Sequence, residues 1–138
     1  MINKMRMQVR IAFAIAALTC LGPAQAFAHH SFSMFDNQKT LSIDGTVREF
    51  ELVNPHGWLY VVATDAQGKP VEWGIEMGGP GALGRSGWRA DTVKPGDKIS
   101  VHIHPLKDGT YGGQFMDAKL PDGRVIGGGD TGLPPAFR

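Results

Sequence analysis

The sequence predicts an all-β fold: a five-stranded OB-like barrel with a short helical link between strands 3 and 4. Three observations predict it. The 19 glycines and 9 prolines fall largely between short apolar runs, the punctuation of a strand-rich chain. Beyond Ala28 no apolar stripe with helical spacing extends past about two turns. The order of elements, three meandering strands, a short helical turn and a hairpin, is that of an OB barrel.

The first strand starts near Thr40, where Leu41, Ile43, Gly45 and Val47 alternate with Ser42, Asp44, Thr46 and Arg48. Phe50 and Leu52 then carry the apolar phase. A period-2 pattern changes phase only through an extra residue, so a β-bulge is predicted near Arg48 and Glu49. Asn54-Pro55-His56-Gly57 ends the strand, because Pro55 cannot donate to a ladder. Residues 58–64 form the second strand, Asp65-Ala66-Gln67-Gly68 a hairpin turn, and residues 71–77 the third strand. The sheet breaks at Gly78-Gly79-Pro80-Gly81, and a helical turn fits residues 82–88 with Leu83 facing inward. Lys94-Pro95-Gly96-Asp97 turns the chain into the fourth strand, residues 98–104, with Ile99, Val101 and Ile103 inward. The fifth strand, residues 113–120, follows the turn at Lys107-Asp108-Gly109 and turns Met116, Ala118 and Leu120 inward. Residues 127–138, rich in glycine and proline, read as a flexible tail.

The start of the chain reads as an export signal. Lys4, Arg6 and Arg10 precede an apolar run over residues 11–21, followed by small residues. That run is well short of the roughly 20 residues that span a bilayer, so no stable membrane anchor is expected. Cleavage fits after Ala26 or after Ala28, which divides the chain into a signal peptide (1–28), a barrel domain (29–126) and the tail (127–138). Cys20 lies in Ala17-Leu18-Thr19-Cys20, which lacks the order of a lipid-attachment box, and it leaves with the signal. The mature chain then has no thiol, which a periplasmic or secreted location permits. Of 14 Lys plus Arg, three leave with the signal, against 13 Asp plus Glu that all stay. A slightly acidic domain offers no electrostatic reason to bind nucleic acid.

Five histidines, His29, His30, His56, His102 and His104, all belong to the mature chain. His102 and His104 alternate on one strand, so they share its outward face with Cα atoms about 6.5–7 Å apart, a span that one metal ion can bridge. The loops after strands 1 and 4 share a rim in an OB barrel, which would bring His56 toward the pair. Cleavage after Ala28 would make His29 the first residue, able to chelate through its amine and ring together. Cleavage after Ala26 would leave His29 third, where amine, amides and imidazole suit a square-planar cupric ion. Nitrogen donors without thiolate favour copper(II), with zinc the lesser candidate.

Catalysis finds little support. None of Ser31, Ser33, Ser42, Ser86 and Ser100 lies in a nucleophile elbow, and Gly78-Gly79-Pro80-Gly81 lacks the lysine and helix of a phosphate loop. Glu72 and Glu76 share a strand face and read as solvated acids. Trp73 shares its face with Val71 and Ile75 and reads as core, whereas Trp58 and Trp88 flank turns and could line a rim groove, with core burial the favoured reading for both.

Several of these motifs occur together and in order. Ala28-His29-His30-Ser31-Phe32, Gly45-Thr46-Val47, Asn54-Pro55-His56-Gly57-Trp58, Leu83-Gly84-Arg85-Ser86-Gly87-Trp88 and Lys94-Pro95-Gly96-Asp97 resemble a family of small exported proteobacterial proteins known only as a domain of unknown function. The resemblance implies a periplasmic or secreted β-domain and supplies no catalytic residues. The resulting expectation is a periplasmic, non-enzymatic binding protein that takes a metal ion or small envelope ligand, with copper held by clustered histidines. The alternative is an envelope interaction module that holds a peptide, glycan or protein through the rim aromatics Trp58 and Trp88.

Overall fold

The computed structural model describes residues 34–127. The expected signal segment, His29, His30 and the tail beyond Gly127 lie outside the described residues. Strands β1 (Leu41–Glu51), β2 (Trp58–Thr64) and β3 (Pro70–Glu76) form a meander. Helix α1 (Pro80–Arg85) follows, then the hairpin of β4 (Lys98–Pro105) and β5 (Gly112–Lys119) and a short β6 (Val125–Gly127). The sheet runs β3-β2-β1-β4-β5-β6, and parallel pairing of β3 with β5 closes the first five strands into a barrel.

β1 serves both halves of the barrel. Its first part, Leu41 to Thr46, pairs with β4, while Gly45 to Glu51 pairs with β2. The register against β2 shifts between Val47 and Glu49, which is the predicted bulge. It keeps Val47 and Phe50 on the inner side despite their odd spacing, and lets one strand bend across both halves. Where the two ladders overlap, the chain needs glycine: a Cβ on Gly45 would sit 2.5 Å from the Val62 carbonyl oxygen. The β4–β5 hairpin has the same requirement. A Cβ on Gly113 would meet the His104 carbonyl oxygen at 2.6 Å and Ile103 Cδ1 at 2.7 Å.

The core is apolar and continuous. Val47, Leu59, Val61, Ile75, Leu83, Val101, Ile103 and Phe115 are all essentially inaccessible, each contributing about 1.5–3 kcal/mol of burial. Trp88 belongs to this set at 1% exposure. Its indole N–H donates to the Gly127 carbonyl at 3.0 Å, and its ring meets Phe50 and Phe115 at centroid distances of 5.2 and 5.5 Å. Trp88 is therefore a core residue and not a rim aromatic. Gly127 is likewise part of β6, paired with Asp117, and not the first residue of a tail.

β5 departs from the expected facing. Phe115, Ala118 and Leu120 are buried, whereas Met116 is half-buried and its thioether accepts the Thr40 hydroxyl at 3.7 Å. The cause is a second register shift: His102 pairs with Asp117 and Ile103 with Phe115, so Met116 is the extra residue of a bulge. Met116 thus leaves the inner side.

Candidate metal site

The strand pattern fixes the facing of β4. Ile99, Val101 and Ile103 enter the core, so His102 and His104 lie on the outer wall. Neither is a plain surface residue. The β5 bulge brings Asp117, 1% exposed, opposite His102, whose Nδ1 stands 2.9 Å from Asp117 Oδ1. A carboxylate only accepts, so Nδ1 of His102 carries the proton of this bond. A buried carboxylate also requires such a donor.

His104 is covered by the chain that leads into β1. Phe35 bridges to Leu106, the Asp36 amide donates to the Pro105 carbonyl at 2.8 Å, and the Lys107 amide donates to the Met34 carbonyl at 2.9 Å. This short antiparallel strap lies along the end of β4, and His104 beneath it is 5% exposed. Its Nδ1 is 2.7 Å from the Lys39 carbonyl oxygen. A carbonyl cannot donate, so Nδ1 bears the hydrogen and, in the neutral ring, Nε2 presents a lone pair. That Nε2 is buried and has no hydrogen-bond partner among the described residues. An orphan of this kind costs about 1–3 kcal/mol and calls for an explanation. The arrangement is also that of a metal-binding imidazole, whose outer nitrogen is fixed by a carbonyl or carboxylate while the other faces the ion.

His56 goes elsewhere. It stands exposed in the β1–β2 loop with Nδ1 3.5 Å from Glu76 Oε1. Glu76 is registered against Gln114 on β5, and Gln114 against His104 on β4. The topology therefore does bring the two loops to one end of the barrel, but β5 intervenes, two strand spacings or about 10 Å. Among the described residues, no three His, Cys, Asp or Glu side chains stand close enough to hold a metal ion. The described donors are thus the β4 pair, with His29 and His30 outside the described residues.

Asp117 and the Lys39 carbonyl, which orient the two rings, were not found by sequence reasoning. The signal for Asp117 was present: Phe115 and Met116 are adjacent apolar residues ahead of an Ala118/Leu120 alternation, the same phase conflict that revealed the β1 bulge. The Lys39 contact carried no local signal.

No curated protein and no solved structure matches the chain. A family model does match it over residues 17–115, which takes in the strap, β1 to β4 and the start of β5. The chain belongs to that family, the family of unknown function DUF6152.

Proposed function

We propose that the mature protein is a periplasmic or secreted, non-enzymatic binding module that holds copper(II) on the outer wall of its barrel. His104 supplies the anchoring donor through Nε2, and His102 on the same strand supplies a second. His29 and His30, the other expected donors, lie outside the described residues. All these donors are nitrogens, the set that favours copper(II) over harder ions, with zinc the lesser candidate.

One observation carries the reading: a buried imidazole whose Nδ1 is anchored to a backbone carbonyl and whose Nε2 has no partner among the described residues. Titration of metal-free mature protein with copper(II) tests it. A visible d–d band and sub-micromolar affinity that falls sharply in H104L supports the site. Affinity no better than that of a short histidine-bearing peptide removes it.

A further inference from the structure

Cross-strand register places a second surface on the barrel, formed by the outer faces of β1, β2 and β3. Glu51, Trp58 and Glu76 form one row across it, and Glu49, Tyr60 and Gly74 the next. The Trp58 and Tyr60 rings stack, 6.3 Å apart and 17° from parallel. With Glu72, four carboxylates surround two half-exposed aromatic rings.

Half of this surface already holds a cation. The β1 bulge swings Arg48 out so that its guanidinium lies over the Tyr60 ring, 4.6 Å from the centroid. Glu72 grips its Nε at 2.5 Å and Glu49 a terminal nitrogen at 2.6 Å. The negative potential here also reaches the Tyr60 hydroxyl, whose pKa is raised by burial first and then by Glu51 and Glu49. Trp58 sits in the same setting, flanked by Glu51 on one side and Glu76 on the other, and the nearest basic group on Glu76 is the exposed His56. Trp58 thus has a carboxylate registered on each side, where Tyr60 has Glu49 on one side and Gly74 on the other, and no guanidinium from the described residues is seated on it.

We infer that the Trp58 ring, between Glu51 and Glu76, is a docking site for an arginine side chain of a partner polypeptide, seated as Arg48 is seated on Tyr60. A planar guanidinium stacks on an aromatic face and pairs with flanking carboxylates, and indole is the strongest aromatic acceptor for it. Charge decides the class of partner. Four acidic groups against Arg48 repel phosphodiesters, whereas a basic peptide gains from both the rings and the carboxylates. The site lies on the strand 2 and strand 3 face that OB folds commonly use for ligands, and it shares no residue with the copper donors.

A blocked tri-arginine peptide, titrated into the mature protein while the Trp58 indole N–H is followed by NMR, tests the assignment. Saturable binding should shift the Trp58 signal at low ionic strength and weaken strongly at high salt. The double variant E51Q/E76Q should lose about tenfold in affinity and W58L, followed through its backbone amide signals, about fivefold, with thermal unfolding and copper binding unchanged. Tri-lysine should bind more weakly than tri-arginine. Equal binding by E51Q/E76Q, absence of any Trp58 shift, or a neutral oligosaccharide producing the same shift would overturn the inference. None of these outcomes bears on the histidine site.

Discussion

Replacing His104 by leucine separates a metal-binding imidazole from an ordinary buried one. In the metal-free protein the substitution removes the Nδ1 bond to Lys39, worth about 0.5–1.5 kcal/mol. It also removes the orphaned Nε2, whose burial costs about 1–3 kcal/mol. The two changes nearly cancel. Lys39 is exposed, so its carbonyl can turn to water, and the apolar replacement has a similar volume. Metal-free H104L should therefore match wild type within about 1 kcal/mol, or exceed it slightly, in urea unfolding at neutral pH. With copper at about a hundred times its dissociation constant, wild type should gain about 2.7 kcal/mol and H104L little or none. A loss above about 3 kcal/mol in metal-free H104L, together with an undiminished copper-induced gain, would refute the reasoning. That pattern would mark His104 as a structural histidine.

Two further predictions concern the scaffold. Gly113→Ala places a methyl group against the His104 carbonyl and Ile103, so it should cost about 1–3 kcal/mol in urea unfolding; a neutral result would mean that β4 and β5 do not approach this closely. The Asp97 carboxyl is held below its ordinary value near 3.8 by the Lys94 amide first and the Lys94 ammonium second. A depressed folded-state pKa gives stability that is present above the unfolded value and lost as pH falls through the folded one. The stability gap between wild type and D97N should therefore narrow in acid, as read from chemical melts at successive pH values; a gap that widens in acid would contradict the assignment.

Much of the barrel was legible because local rules agreed. The phase break after Arg48 located the β1 bulge, and Gly68 and Gly96, at φ of +80° and +94°, take the left-handed turns that their sequences announced. Leu83 is buried as the short link predicted. The failures were of two kinds. Met116 was placed inward because an Ala118/Leu120 alternation was carried back through Phe115 without applying the same phase test. Trp88 is buried, as its favoured reading had it. His104 could not be placed by any local rule, because it is buried by a strap joined to β4 across more than sixty residues of sequence. Sequence order also brought His56 to the correct end of the barrel but could not show that β5 stands between it and His104. The aromatic and acidic face was visible only in part, since Tyr60 joins Trp58 through cross-strand register rather than any motif.

Pulsed electron paramagnetic resonance on the copper-loaded mature protein bears most directly on the histidine site, because the remote nitrogen of a coordinated imidazole modulates the echo. Binding through Nε2 of His104 predicts modulation from more than one imidazole, with one ring's share disappearing in H104L while the spectrum of H56N stays unchanged. An H104L spectrum identical to wild type would mean that the buried imidazole is not a ligand.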